Sequence, residues 1–349
     1  MKRALVGMSG GIDSTAAAAL LKKKGWDIAG ITFSLWDGAS RCCNYDDIMD
    51  AKRACVILGI RHYTVNLKPL FKKKVVDYFI DAYISGKTPN PCVVCNAEAK
   101  FAGLIKKADE AGFDYVATGH YARISRIKGG FTLKKAADKN KSQEYFLARL
   151  GNKTLARAVF PLGGVKKSEA KKISVKCGIN PDKKESQEAC FLREGESPYD
   201  FIQRVRPQKK TGNAVLYTTE GKKIAELGSP YYRYTVGQRK GLGIGGGKPL
   251  YVAAVDAGAG KVLAGGIEEI HRKRFRVSNL NMYVDKGKSG RFSADVKIRY
   301  RHAGAKARVI TGAGAAAEVV FEKPQFAVAP GQLAVFYDKD TVIGSGFIE

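Results

Sequence analysis

The chain has 349 residues, 45% hydrophobic and 10% aromatic, with 60 Lys and Arg against 33 Asp and Glu, a net charge of +27. Such a composition can bury a core, which excludes a mostly disordered protein, and at roughly 100–200 residues per domain the length predicts two or three domains. No stretch reads as a membrane span or a signal peptide: the apolar run Ala16–Leu21 is short and ends in Lys22–Lys24, and the first residues lead directly into a glycine loop. A cytoplasmic, reducing location with no membrane partner is therefore expected, and the seven cysteines read as reactive or metal-binding candidates rather than a disulfide framework. The positive charge fits a polyanionic partner, RNA foremost. Lys pairs such as Lys106–Lys107 and Lys222–Lys223 are spread along the whole chain, however, and equally serve to solvate outer faces.

In chain order, the apolar runs Lys2–Gly7, Asp27–Phe33, Arg61–Val65 and Tyr115–Thr118 predict strands. Between them, Ser14–Lys24, Asp46–Leu58, Leu70–Ser85 and Asn96–Ala111 carry helical spacing of apolar residues. The alternation implies a parallel sheet flanked by helices, with ligands at the carboxyl ends of the strands. Beyond about residue 205 the helical patterns stop and short strand-like runs follow between glycines. Arg291–Arg301 shows the clearest alternation, with Phe292, Ala294, Val296, Ile298 and Tyr300 on one face. The expected fold is an α/β N-terminal domain, residues 1–205, then a small mainly-β central domain, residues 206–270, and a C-terminal β-barrel, residues 271–349.

The first chemical signal is Gly7-Met-Ser-Gly-Gly-Ile-Asp-Ser14, where the first strand gives way to a helix. Glycines there let the backbone curl around an anion, and the helix N-terminus favours phosphate. Asp13 and Ser14 stand where side chains cap a helix, and Ser9 and Ser14 are candidate donors to phosphate oxygens. No Gly-Lys-Ser/Thr ending follows, which disfavours a Walker-type kinase or GTPase. The full Ser-Gly-Gly-x-Asp-Ser string resembles the signature of the PP-loop ATP pyrophosphatases, which split ATP into AMP and pyrophosphate to adenylate an oxygen.

A second signal is Thr88-Pro-Asn-Pro-Cys-Val-Val-Cys-Asn96, in which Cys95 is expected just before a helix opening at Asn96, where the dipole favours a thiolate. A third is Glu185-Ser-Gln-Glu-Ala-Cys-Phe191, which puts Cys190 in a polar loop. Cys55 and Cys177, inside helical patterns, read as small buried apolar residues, and Cys42-Cys43 stays undecided.

Together with Thr118-Gly-His-Tyr-Ala-Arg123, Gln143-Glu-Tyr-Phe-Leu147, Phe160-Pro-Leu-Gly163, Thr235-Val-Gly-Gln-Arg-Lys-Gly-Leu-Gly243, Lys297-Ile-Arg-Tyr-Arg301 and Pro330-Gly-Gln332, these motifs run nearly end to end. In that order they resemble the tRNA-specific 2-thiouridylases of the PP-loop superfamily, enzymes with a Rossmann-like catalytic domain that place sulfur on C2 of the anticodon wobble uridine. The resemblance implies that Gly7, Met8, Ser9, Gly10, Gly11, Ile12, Asp13 and Ser14 hold ATP, with Phe33 and Gly119 at its nucleoside and Mg2+ on its phosphates. It implies that Asn90, Pro91 and position 92 meet the flipped-out base, and that His120, Lys141, Ser142, Gln143, Arg299, Tyr300 and Gln332 contact tRNA. For His120, packing within the fold is an equal alternative. Cys190 would carry a persulfide received from a cysteine desulfurase or sulfur-relay protein, and Cys95 would release or resolve it, leaving a disulfide between the two to be reduced.

One residue departs from the pattern. Many relatives carry Asp, a candidate acid/base, where this chain has Cys92. Cys92, Cys95 and Cys190 then form a three-thiol set that could hold a four-iron iron–sulfur cluster with one open iron, or zinc with a further ligand, as alternatives to the persulfide route. Functions of other classes make different demands. A tRNA lysidine synthetase or an amidotransferase synthetase needs the glycine loop without Cys95 and Cys190, and a non-catalytic RNA-binding protein needs neither.

Overall fold

The computed structural model describes residues 1–37, 45–180, 189–208, 211–244, 248–284, 290–312 and 314–349. They form two compact units that do not follow chain order. The first comprises Met1–Val76, Pro91–Gly195 and Asp340–Ile343; the second comprises Asp77–Asn90, Glu196–Lys339 and Gly344–Glu349.

In the first unit, β1 (Arg3–Gly7), β2 (Asp27–Ser34), β3 (His62–Asn66), β4 (Tyr115–Ala117) and β7 (Ala158–Val159) make a wholly parallel sheet in the order β3-β2-β1-β4-β7. Both faces of β1 are covered, so Ala4, Leu5 and Val6 have almost no exposure and the strand reads as one apolar run. The chain runs outward from β1 to β3, then returns to β4 on β1's other side. That reversal opens a crevice at the carboxyl ends of β1 and β4, the position where doubly wound sheets bind ligands. Helix α1 (Ile12–Lys23) starts from this end of β1. Ala16, Ala17 and Ala18 of its alanine run are buried: Ala18 and Leu21 join the core under the sheet, while Ala16 and Ala17 pack with Ala170 of the Lys167–Val175 helix. Side chains this small let a helix lie close to neighbours on two sides.

The four expected strands and the helices Ser14–Lys24 and Asp46–Leu58 fall within two residues of observed elements, the last being α2 (Tyr45–Ile57). Several elements go beyond the sequence expectation, among them the Lys167–Val175 helix and two features of the sheets. One is the two-residue strand β7; the other is the hairpin β5 (Ala122–Ile127) and β6 (Gly130–Lys135), whose Lys134 pairs with Thr341. Asp340 sits against the same hairpin through ion pairs to Arg123 and Lys134.

In the second unit, β8 (Val215–Thr218), β9 (Lys223–Glu226), β10 (Tyr251–Asp256) and β11 (Lys261–Gly265) form a four-stranded sheet in the order β10-β11-β8-β9. An antiparallel barrel follows, with β12 (His271–Met282), β15 (Ala317–Phe326), β14 (Ala305–Thr311), β13 (Arg291–Lys297), β16 (Leu333–Asp338) and β17 (Thr341–Ile348) in that order, closed by β12 on β17. Closure removes free sheet edges, and the alternate residues Ala294, Val296, Val309, Val319 and Phe321 fill the interior. The segment Asp77–Asn90 packs in this second unit: Arg206 pairs with Asp81, and Tyr231 Oη donates to the Ile84 carbonyl at 2.7 Å. No helix of the described residues is long and apolar enough to cross a membrane.

Candidate active site

The loop from Gly7 to Ser14 leaves β1 at the crevice. Gly10 is the glycine its geometry requires, with φ of +67° and a position where a Cβ would stand 2.1 Å from the Asp47 carbonyl oxygen of α2. Ser14 Oγ accepts from the Ser9 amide at 3.1 Å and donates to the Gly11 carbonyl at 3.2 Å, so its hydroxyl braces the loop. Asp13 does not cap α1 as its sequence position led us to expect. The N-cap position is Gly11, and no side chain caps the helix there. The Asp13 carboxylate turns away instead, accepting from Tyr121 Oη at 2.7 Å and from Lys167 Nζ at 2.7 and 2.8 Å. The carboxylate is thus held by the Lys167 ammonium and the Tyr121 hydroxyl rather than by the amides of its own helix. The result is an N-terminus whose amides and dipole are not consumed by a side chain and suit an anion.

Thr118-Gly-His-Tyr121 supplies the other wall. A Cβ on Gly119 would lie 2.5 Å from Asp13 C and 2.6 Å from Ser14 N, so this backbone rests directly on the first turn of α1. Tyr121 is fully buried, reaches Asp13, and exchanges hydrogen bonds with Gln143, its amide donating to Gln143 Oε1 and its carbonyl accepting from the Gln143 amide. Phe33, at the end of β2, is buried, and next to it Thr32 Oγ1 donates to the Met8 carbonyl at 2.9 Å.

Lys167 is a candidate functional residue that the sequence motifs do not reveal. It opens the Lys167–Val175 helix with its side chain only 18% exposed and its ammonium 6.0 Å from the Tyr121 ring centroid. A cation at a helix N-terminus opposes the dipole, so it needs an anion there. That opposition is the one signal in the sequence that could have singled it out.

Of the cysteines, Cys55 and Cys177 are buried, and burial raises both thiol pKa values, that of Cys55 to about 11, which disfavours the thiolate a nucleophile needs. Cys42 and Cys43 lie outside the described residues, as do Glu185 to Glu188. The helix expected to open at Asn96 opens at Pro91, since proline is tolerated in a first helical turn where its missing N–H costs nothing. Cys92 is therefore the exposed first-turn thiol. Cys95 is buried one turn on, at the head of the π-helical stretch Cys95–Lys100. Asn96 is also buried; its Nδ2 donates to the Phe146 carbonyl, while its Oδ1 has no hydrogen-bond partner among the described residues. Cys190 is half-buried, and Phe191 beside it is anchored edge-on to Phe71 with ring centroids 6.0 Å apart.

Cys92, Cys95 and Cys190 are all thiols outside disulfides. Among the described residues no group of three or more His, Cys, Asp or Glu side chains is arranged to hold a metal ion. Among the described residues the three thiols are not gathered into one such group. Mg2+ makes a smaller demand, because one or two carboxylates suffice when substrate phosphates complete its shell; Asp13 is the carboxylate of the loop.

Of the residues matched to tRNA contacts, Ser142 is buried, its hydroxyl accepting from the Ala136 amide and donating to Glu144. Lys141 and Gln143 are half-buried. Arg299 and Tyr300 do not continue the alternation of β13, which ends at Lys297; Arg299 Nη1 donates to the Phe326 carbonyl at 3.1 Å from the turn beyond the strand. Gln332 Nε2 donates to the Thr88 carbonyl at 2.8 Å.

His120 bonds Thr118 Oγ1 through Nδ1 at 2.8 Å and stands 6.2 Å from both the Phe101 and Phe160 rings. Burial, helped by the Lys100 charge, lowers its pKa from the ordinary 6.5 to about 3, so any contact with tRNA is through a neutral imidazole. Between the lowered folded pKa and 6.5 the unfolded state binds the extra proton, so the stability from His120 is complete above pH 6.5 and fades as pH falls below it. Melting temperatures measured from pH 7 to about pH 4.5 are expected to fall less steeply in His120→Gln than in the native chain; parallel curves would refute a neutral His120.

Family models match along the chain: a tRNA methyl transferase HUP domain over residues 2–194, a tRNA methyl transferase PRC-barrel domain over 199–265, and an aminomethyltransferase β-barrel domain over 272–348. The tRNA-specific 2-thiouridylase MnmA of Clostridium acetobutylicum is 40% identical over 358 residues, covering 100% of this chain and 99% of its own. That of Moorella thermoacetica is 39% identical, covering 99% of each, and that of Geotalea uraniireducens is 41% identical, covering 100% of this chain and 95% of the relative. With a glycine loop braced for an anion, two accessible or near-surface thiols and full-length identity of this order, the chain belongs to the tRNA-specific 2-thiouridylase family.

Proposed function

We propose that the protein is a tRNA-uridine 2-sulfurtransferase that uses ATP to replace the C2 oxygen of the anticodon wobble uridine with sulfur. The observation that carries this reading is the braced loop at the β1–β4 crevice, with Lys167 held against Asp13 at the start of α1. The working division is a catalytic domain of residues 1–205, a central domain of 206–270 and a tRNA-binding barrel of 271–349. The net charge of +27 over the whole chain supports a polyanionic partner, and a cytoplasmic location is in keeping with that substrate.

The loop amides and Lys167 bind the ATP phosphates, Phe33 and Gly119 border the nucleoside, and Mg2+ neutralises charge on the phosphates. The uracil C2 oxygen attacks the α-phosphorus, the bond to pyrophosphate breaks, and C2 now carries AMP as a leaving group. Lys167 stabilises the negative charge that grows on pyrophosphate as it leaves. The terminal sulfur of a Cys190 persulfide, supplied by a persulfide-carrying donor, attacks C2 and expels AMP. Cys95 thiolate then attacks the Cys190 sulfur, which breaks the sulfur–sulfur bond and leaves 2-thiouridine and a Cys95–Cys190 disulfide. An external dithiol returns two electrons to reopen that disulfide. Because a base stacked in its loop cannot reach such a site, Asn90, Pro91 and Cys92 receive it flipped out.

Incubating the protein anaerobically with ATP, unmodified tRNA and a persulfide-loaded donor tests the reading. Expected are 2-thiouridine in the digested tRNA and equal amounts of AMP and pyrophosphate. Release of ADP instead, or thiolation without ATP, would overturn it.

A further inference from the structure

Gln332 lies in the second unit, in the turn Pro330-Gly331-Gln332 between β15 and β16, and that turn grips one residue of the Thr88-Pro-Asn-Pro91 loop by both of its backbone groups. The Thr88 amide donates to the Pro330 carbonyl at 2.7 Å, and Gln332 Nε2 donates to the Thr88 carbonyl at 2.8 Å. The turn is itself tied down: the Gly331 amide donates to the Ile348 carbonyl and the Ile348 amide to the Gln332 carbonyl, each at 2.8 Å. Gly331 has φ of +89°, and a Cβ there would lie 3.0 Å from Lys87 Cβ and 3.1 Å from Thr88 N, so the two backbones touch.

The backbone beyond Thr88 is stiff. Pro89 and Pro91 fix their own φ angles, lack an amide for any ladder, and confine Thr88 and Asn90 before them to extended conformations. An orientation set at Thr88 is therefore transmitted to Asn90 with little room to relax. We propose that Gln332 is a positioning residue: through Thr88 it fixes the direction in which Asn90 is presented to the target uracil, a role separate from any contact of its own with tRNA. The proposal rests on the reading that Asn90 meets that base.

The two roles predict different kinetics. A mere tRNA contact would show as weaker binding, with the rate at saturating tRNA unchanged. A positioning residue shows in the saturated rate, because misplaced groups forfeit orientation rather than affinity. In Gln332→Ala, single-turnover thiolation at saturating ATP and tRNA is expected to fall roughly tenfold, with the tRNA dissociation constant within about threefold of the native value. Gln332→Glu keeps the size and an acceptor but, ionised, has no donor for the Thr88 carbonyl; it should lose at least as much. Hydrogen exchange at the Thr88 amide, measured without substrates, should quicken in both variants. A raised dissociation constant with an unchanged saturated rate would overturn the proposal, as would unchanged Thr88 exchange. If the native protein made no 2-thiouridine, the function would fail instead, and the exchange measurement would still decide the clamp.

Discussion

Lys167→Ala is expected to slow tRNA-dependent formation of AMP from ATP by about a hundredfold or more, while tRNA affinity stays within about twofold. The lysine stands at the start of its helix, against the dipole, with an ammonium that both Asp13 oxygens hold at 2.7–2.8 Å. Nothing in the stability of that helix calls for a cation there. The charge makes sense as part of the α1 N-terminus, where developing negative charge on a departing pyrophosphate would meet a fixed cation and uncapped backbone amides together. Removing it leaves the partly buried Asp13 carboxylate to the Tyr121 hydroxyl, which also costs stability. Binding of a non-hydrolysable ATP analogue and the melting temperature therefore have to be measured beside the rate. Lys167→Arg restores charge without the same reach and should recover part of the rate; Asp13→Asn should weaken the hold on Lys167 and fall between the two. An alanine variant that folds, binds nucleotide and releases AMP at the native rate would remove Lys167 from the site.

The parallel sheet is legible in the sequence because its strands are buried on both faces and read as unbroken apolar runs; Leu5 and Val6 announce β1 without any help from neighbours. The glycine loop is legible for a related reason, since its backbone geometry demands particular residue types. Features that depend on distant pairing are not. Lys167 and Asp13 are 154 residues apart, and apart from its place at the start of a helix nothing in Lys166-Lys167-Ser168 distinguishes it from the many other lysines. The β5–β6 hairpin is half polar, Ala122-Arg-Ile-Ser-Arg-Ile127, and gains its place by pairing with Thr341 near the far end of the chain. The alternation over Arg291–Arg301 holds only as far as Ile298, still buried after β13 has ended, and Arg299 and Tyr300 belong to the turn beyond it. The helix carrying the two thiols begins five residues before its expected start at Asn96, because Pro91 reads as a turn-former although a first helical turn suits it equally well.

That earlier start changes what to expect of the thiols, and it yields the largest contrast among variants. Cys95→Ser and Cys190→Ser should each lower thiolation by at least roughly a thousandfold, the scale of losing a covalent nucleophile. Both should still release pyrophosphate when tRNA and ATP are present, because adenylation precedes any use of sulfur. Cys92→Asp should behave differently. Position 92 lies exposed in the first turn of its helix, where a carboxylate is favoured by the dipole by about 0.3–1 kcal/mol. Aspartate fits there without entering the core, whereas the buried Cys95 one turn later offers no such tolerance. The variant should keep activity within about threefold of the native chain and melt no earlier. If Cys92 instead ligated iron, aspartate would be a poor replacement for its thiolate, and metal content and activity would fall together. Iron analysis of the anaerobically purified native chain and of Cys92→Asp, set beside their thiolation rates, separates the two chemistries. A native chain with stoichiometric iron and an iron-depleted, inactive Cys92→Asp would end the persulfide mechanism, and full activity in the aspartate variant would leave Cys95 and Cys190 as the pair that moves the sulfur.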